Sequence, residues 1–134
     1  FACAADSTVV VTAPEPTAIT DAYAVIKVLT QREYAGQLSL LVNMVEDRQE
    51  GRVTHERIAE VARRFLNIRV LQAGYVIADP KVKDAVKRRE PFVLAYPRCQ
   101  ASRCLAALAN KLSSSGCLSE RKEGFFRRVA NWFA

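Results

Sequence analysis

The chain has 134 residues, half of them hydrophobic, and 20 Lys and Arg against 14 Asp and Glu give it a formal charge of +6. This length and apolar content exclude a disordered chain and allow one domain with a useful core. No apolar run reaches the roughly 18 residues of a membrane span, and no secretory signal is visible. The positive charge favours anionic partners, either a membrane surface or nucleic acid.

The predicted elements alternate between strands and helices. Apolar runs and helical periodicity predict strands at 9–12, 38–42 and 70–76 and helices at 17–30, 54–66, 81–88 and 101–112. An extended segment that Pro97 ends precedes the last of these helices. This alternation predicts an α/β fold, with a partial parallel sheet, right-handed crossovers and flanking helices. The sequence therefore predicts a globular unit at 1–112, a Ser-rich hinge at 113–123 and a separate helix at 124–134.

A rigid turn with an acidic residue follows the first predicted strand. Pro14 and Pro16 each lack a backbone donor and hold the preceding residue extended, so the strand stops there. Thr17 is the predicted N-cap of the following helix, with Asp21 near the positive end of the helix dipole. Glu15 should be exposed at the carboxyl end of the strand, where α/β sheets bind ligands and partners. On spacing alone, the alternative is an ordinary structural turn.

Five segments carry a likeness to a known family. They are PEPTAITDAY at 14–23, LLVNMV at 40–45, ARRFL at 62–66, GYVIAD at 74–79, and Ala85-Val86 followed by Pro91-Phe92. In this order they resemble the MinD/ParA family of deviant P-loop ATPases, particularly its FlhG/FleN branch, which controls flagellar number and placement. The resemblance spans nearly the whole chain and implies the C-terminal half of a P-loop NTPase-like fold.

Asn43 is the main ligand-binding candidate. A side-chain amide at the end of a buried strand donates and accepts at once, which suits an adenine edge, although a simple turn contact is the alternative. The resemblance implies that Asn43 holds the base together with the loop that contains Gly74, Ile77 and Asp79. Ile77 stands where the family usually has Pro. The resemblance also implies ATP with Mg²⁺ in a longer parent protein that dimerises when ATP is bound, and it assigns Glu15 and Asp21 to a dimer or partner interface.

The sequence lacks the parts that bind phosphates. It has no GxxxxGK[ST] motif and no Gly-Lys pair, and its five glycines are scattered, whereas a P-loop needs clustered glycines and a Lys. In the resembled family these parts precede the strand at 9–12. We therefore expect this chain to be the C-terminal half of an ATPase, to bind no cofactor tightly by itself, and to contain no catalytic residue.

The last segment, GFFRRVANWFA at 124–134, predicts an amphipathic helix. Five apolar side chains fall within an arc of about 120°, with cations at its edge and on the opposite face. The apolar stripe contains Phe125, Phe126, Val129, Trp132 and Phe133, and the cations are Arg127 and Arg128. This pattern is typical of a helix that lies in a membrane interface; a helix docked on the domain core is the alternative. The resemblance implies membrane targeting, hence a cytoplasmic protein that binds the inner face of a bacterial cell membrane.

The remaining signals are weaker. Cys3, Cys99, Cys104 and Cys117 form no CxxC pair, which favours ordinary buried thiols over zinc, and His55 is a predicted surface residue of a helix. The basic stretch is a solvated helix face or a contact with phosphates of lipid or DNA; its members are Lys81, Lys83, Lys87, Arg88 and Arg89. A ParA-type DNA-partition ATPase and an inactive interaction module therefore stay as alternatives, although the aromatic tail makes nucleic acid the weaker partner.

Overall fold

The computed structural model describes residues 2–114 and has strands and helices in the alternating order that the sequence predicts. A 3₁₀ turn at Ala2–Ala4 comes first. The other elements are β1 (Ser7–Thr12), α1 (Pro16–Gln31), β2 (Gln37–Val45), α2 (Arg48–Leu66), β3 (Leu71–Ile77), α3 (Pro80–Lys87), α4 (Phe92–Ala95) and α5 (Gln100–Ser114). Phe1 and residues 115–134 lie outside this description, and so do Cys117, most of the predicted hinge and the predicted membrane helix.

The three strands form one parallel sheet with β2 in the middle. Helices α1 and α2 pack on one face of the sheet, where Ile26, Leu40 and Ile58 are fully buried in the larger apolar cluster. Helix α5 packs on the other face, where Leu41 and Ala101 belong to a second cluster. Each fully buried large aliphatic side chain contributes about 1.5–3 kcal/mol. Helices on both faces satisfy the burial that parallel strands require, and the predicted α/β fold is confirmed.

Helix α1 begins one residue earlier than predicted, and the predicted N-cap at Thr17 is wrong. Glu15 is the N-cap residue, without a side-chain capping bond, and its carbonyl accepts the Ile19 N–H at 3.0 Å. Pro16 occupies the first helical position, where its fixed φ suits a helix and its missing N–H costs nothing. The Thr12 hydroxyl anchors this first turn by donating to the Ala18 carbonyl at 3.0 Å.

Helix α2 begins six residues before the prediction. Asp47 caps it, because Oδ1 accepts the Glu50 N–H at 2.8 Å, while the Glu50 carboxylate accepts the Glu46 N–H at 2.7 Å. The Asp47 bond is an N-cap, and the Glu50 carboxylate differs from that of a capping box in accepting the N–H of the residue before the cap. The opening turns carry mostly polar side chains, so apolar periodicity gave no signal for them.

Near the end of the described residues, the structure differs from the predicted elements in two places. The segment before Pro97, predicted to be extended, contains the short helix α4. Helix α5 continues through Ser113 and Ser114, which were predicted to open the hinge. The Ser114 hydroxyl donates to the Asn110 carbonyl at 2.7 Å, four residues back, so its polar group is satisfied within the helix.

The burial of the thiols and of the histidine differs from the prediction. Cys3 is exposed and not buried, whereas Cys99 and Cys104 are half-buried against the second apolar cluster. His55 lies on α2 as predicted but is also half-buried, with Nε2 at 3.3 Å from the Val70 carbonyl. Within residues 2–114, none of the helices combines the length and the apolar content needed to cross a bilayer.

Candidate functional site

The carboxyl edge of the sheet holds a cavity of about 470 Å³. Asn43 and Met44 reach it from the end of β2, and Ala78 and Asp79 reach it from the end of β3. Parallel strands end at the same edge, so residues that are distant in sequence meet there. Most of the remaining lining is apolar: Leu41, Val76, Ile77, Val82, Phe92 and Leu105. This cavity is therefore the candidate ligand site.

A second cavity, of about 370 Å³, lies at the opposite edge of the sheet. Leu29, Tyr34, Gly36 and Ile68 line it, together with residues that begin β2 and β3. None of its lining residues was singled out by the sequence, and ligands of α/β sheets bind at the carboxyl ends of strands. We therefore place the function at the first cavity.

The end of β2 departs from regular pairing where it meets the cavity. The register with β3 shifts between Val42 and Val45, and Met44 has a φ of 60°. The Met44 N–H donates to Asn43 Oδ1 at 2.9 Å. Asn43 therefore does not end the strand as predicted: the chain turns outward for two residues and pairing resumes at the buried Val45, opposite Ile77.

Asp79 joins the starts of two helices. Its Oδ1 accepts the Lys81 N–H at 2.9 Å, and its Oδ2 accepts the Gln100 N–H at 3.0 Å and the Ala101 N–H at 3.4 Å. The Lys81 bond is the main reason why the pKa of Asp79 lies below its usual value, and it outweighs the opposing effect of burial. The carboxylate is thus used to hold α3 and α5 together at the cavity.

The chemical character of the cavity is that of a binding site. The Asn43 amide and the Lys83 ammonium are polar groups in a mostly apolar lining, which suits a flat apolar ligand with a polar edge. Over residues 2–114 the lining includes no Ser, Thr, Cys or His. The same residues contain no group of three His, Cys, Asp or Glu placed to hold a metal ion. The cavity can bind and orient a ligand, and it offers no paired nucleophile and base.

Known proteins resemble this chain along most of its length. The antiactivator FleN of Pseudomonas aeruginosa is 36% identical over 114 residues, which cover 85% of this chain and 41% of FleN. The flagellum site-determining protein YlxH of Helicobacter pylori is 36% identical over 141 aligned positions, which cover 98% of this chain and 47% of YlxH. The chain thus spans less than half the length of either relative. No family model matches it.

Solved structures share the fold. The MinD cell division protein of Aquifex aeolicus superposes with a TM-score of 0.64 at 23% identity, over 81% of this chain and 44% of MinD. MinD in the MinC:MinD complex of the same organism gives a TM-score of 0.61 at 26% identity, over 81% of this chain and 43% of that one. The chain belongs to the MinD/ParA family. Its relatives place it in the FlhG/FleN branch, as the sequence segments indicated.

The fold of this MinD/ParA-family chain brings together three of the four residues that were predicted to hold a base. Asn43, Ile77 and Asp79 lie at the cavity, and Gly74 does not. Gly74 lies inside β3 opposite Leu41, because strand pairing continues to Ile77 and shortens the predicted loop to Ala78 and Asp79. Residues other than glycine rarely adopt its φ of 154°, so the backbone of β3 gives one reason for glycine at this position.

Sequence reasoning missed part of the lining. Lys83 had been considered only as a member of the basic stretch, and Phe92 only as part of a family-like segment. Met44 had no predicted role, although its place directly after Asn43 at a strand end was a usable signal.

The predicted interface residues lie elsewhere on this MinD/ParA-family chain. Glu15 is the N-cap residue of α1 and Asp21 lies in its second turn; both are exposed, and neither lines the cavity. They are accessible to a partner and are not part of the base site.

The basic stretch is partly engaged within the domain. The Lys81 ammonium lies 4.9 Å from the centre of the Tyr96 ring, and Arg88 pairs with Glu90 at 3.2 Å. Arg88 also donates to the Tyr96 hydroxyl at 3.2 Å, a bond that raises the pKa of Arg88. Two of the five cations therefore have partners of their own, and the stretch is a less uniform phosphate-binding surface than the sequence indicated.

Proposed function

We propose that this chain is the base-binding half of a MinD/FlhG-like ATPase that regulates flagellar number or placement, and that the cavity at the carboxyl edge of the sheet holds the adenine of ATP. The observation that carries the proposal is the Asn43 amide, oriented at the mouth of an apolar cavity of about 470 Å³. The size and the few polar groups suit a purine base. Lys83 supplies a positive charge at the same cavity.

The phosphates and Mg²⁺ would be held by residues outside this sequence. The chain has no glycine-rich phosphate loop with its Lys, and no metal-binding cluster occurs within residues 2–114. Bound ATP would supply the hydrolysable phosphates in the longer protein. The residues of this chain would bind the base, exclude water from its faces and fix its edge.

The test of the base site compares Asn43→Ala with Asn110→Ala, a control on the exposed face of α5. In a full-length protein, Asn43→Ala should weaken ATP binding by about 1–3 kcal/mol, because a polar edge of the base would be buried without its partner. The control should bind as the parent does. Calorimetry measures both, and equal affinities of the two variants would show that Asn43 makes only a turn contact.

The regulatory role rests on the relatives. One is named an antiactivator and the other a flagellum site-determining protein, and a related MinD forms a complex with MinC. We infer that the parent protein dimerises with ATP and meets regulatory or flagellar proteins through the exposed start of α1, where Glu15 and Asp21 lie. Charge reversal at both positions should weaken such a complex and leave adenosine binding unchanged.

The cellular location follows from the tail. The aromatic stripe at 124–134, which lies outside the described residues, would bind the anionic inner face of the cell membrane reversibly, so that the protein cycles between membrane and cytoplasm. A DNA-partition role has less support, because two of the five cations in the basic stretch have partners within the domain.

A further inference from the structure

Met44 has an unusual backbone conformation for its place in the fold. Four non-glycine residues among 2–114 have positive φ: Glu33, Met44, Asn67 and Arg89. Glu33, Asn67 and Arg89 lie at the C-termini of α1, α2 and α3, where a left-handed residue ordinarily ends a helix. Met44 lies within a strand instead. A long side chain rarely adopts this conformation, and such residues concentrate at binding sites.

One hydrogen bond ties this conformation to the Asn43 side chain. The Met44 N–H donates to Asn43 Oδ1 at 2.9 Å. The amide nitrogen cannot accept a hydrogen bond, so the amide of Asn43 has one allowed orientation. Within residues 2–114 its Nδ2 group has no partner, and both of its hydrogens stay available to a ligand together with one lone pair of Oδ1.

The Met44 side chain lines the same cavity. It is 54% exposed, a high value for a large apolar residue, and it lies beside the apolar lining that Ile77 and Val82 contribute. A thioether is polarisable and packs favourably against aromatic rings. The outward turn of β2 therefore puts an oriented amide and an uncovered thioether side by side.

We propose that Met44 is a positioning residue for a purine base: its side chain packs against the face of the ring while its N–H orients the Asn43 amide toward the ring edge. The inference rests on the proposed base site and adds the residue that sets the plane of the base. It assigns the ligand to flat heteroaromatic bases with a donor and an acceptor on one edge, which a ribose or a phosphate alone cannot replace.

The chain offers a direct probe, because Met44 is its single methionine. Labelling with [¹³C-methyl]methionine gives one NMR signal, and titration of the 134-residue chain with adenosine should move that signal upfield and saturably, through the ring current of a stacked base. Ribose at the same concentration should leave the signal in place. A shift that ribose reproduces would overturn the stacking role.

Two variants separate the side chain from the backbone. Met44→Gly keeps the N–H and suits the positive φ, so it should fold at least as stably as the parent and bind adenosine about two- to tenfold more weakly. Met44→Leu, which keeps the bulk, should recover most of that loss. Equal affinity of the glycine variant and the parent would contradict the proposal.

The failure of this inference is distinguishable from that of the base site itself. If adenosine shifts the methyl signals of Ile77 and Val82 while the Met44 methyl stays in place, the cavity binds the base and Met44 does not stack on it. Because this chain alone is expected to bind weakly, the titration is carried to the solubility limit of adenosine. If none of these signals moves there, the base site is wrong and the role of Met44 falls with it.

Discussion

At the scale of single residues, Asp79 has a structural role that the sequence did not indicate. The family likeness assigned it to a base-binding loop, and the structure uses both of its oxygens to cap helices. These bonds fix the relative position of α3 and α5 at the wall of the cavity, and the predicted contact of Asp79 with a base stays a prediction.

The capping role of Asp79 predicts an acid-sensitive stability. Its pKa is lowered in the folded state, so its stabilising effect is complete above the unfolded value of about 3.9 and is lost as the pH falls through the folded value. Asp79→Ala removes two caps and should cost about 1–3 kcal/mol at pH 7. Urea unfolding at pH 7 and at pH 3 measures the loss, which should be smaller at pH 3.

Asp21→Asn is the control for this prediction, since Asp21 is exposed on α1 and caps no helix. This variant should have the parent's stability at pH 7. If Asp79→Ala destabilised the chain equally at both pH values, the charge of the carboxylate would be irrelevant to the cap.

At the scale of elements, the contact between α2 and β3 depends on Gly51. A Cβ at this buried position would lie 2.9 Å from the Tyr75 Cβ and 3.3 Å from its Cγ, and both belong to the rigid base of that side chain. The helix and the strand therefore approach closely because the helix carries glycine in this turn. Arg48 strengthens the same contact by donating to the Tyr75 hydroxyl at 2.8 Å.

Gly51→Ala should consequently lower the stability. Overpacking costs about 1–3 kcal/mol, and the gain of about 1 kcal/mol in helix propensity offsets only part of it. We expect a net loss of up to about 2 kcal/mol by thermal or urea unfolding. Glu60→Ala, at an exposed position of the same helix, should be nearly neutral. A higher melting temperature for Gly51→Ala would mean that β3 has room to move away.

The tail is a second element with its own prediction. Residues 124–134 should bind anionic vesicles and become helical, because each deeply buried aromatic side chain contributes about 1.5–3 kcal/mol and each Arg about 1 kcal/mol. Trp132, the single tryptophan, should shift its emission to the blue. Trp132→Glu should abolish binding and Asn131→Gln, on the polar face, should not.

Two further observations distinguish a membrane helix from a docked one. Arg127→Glu with Arg128→Glu should weaken binding chiefly on anionic lipid, and added salt should do the same to the parent. A tail docked on the domain would instead give a Trp132 emission that is already blue without lipid, and Phe125→Glu would lower the melting temperature of the domain.

At the scale of the whole molecule, the proposed base site is not accompanied by a glycine-rich phosphate-binding motif in the sequence. The 134-residue chain should therefore show no ATP turnover above a heat-denatured control, since neither a glycine-rich loop nor its Lys is available to position the γ-phosphate. Phosphate release measures this. ATP turnover that persists after further purification and is lost in Asn43→Ala would contradict the interpretation of the chain as one half of an ATPase.

The sequence by itself determined the architecture of the described residues. The β-branched run of β1, the prolines after it and the 3.6-residue periodicity of α2 each have local physical causes, so alternating strands and helices could be predicted from them. The family likeness could also be found from sequence alone, because it consists of short segments in a fixed order. The position of Asn43 at the carboxyl edge also followed from the strand pattern.

Only the tertiary structure decided what those residues contact. Asp79 caps α5 from 21 residues away, Gly74 is needed by the backbone of β3, and the outward turn of Met44 depends on a register shift between β2 and β3. No local pattern contains such information, because each feature is set by a hydrogen bond or a pairing between distant segments. The alternation of strands and helices could be predicted from sequence, whereas the strand order, the cavity and its oriented amide exist only once β2, β3, α3 and α5 have packed together.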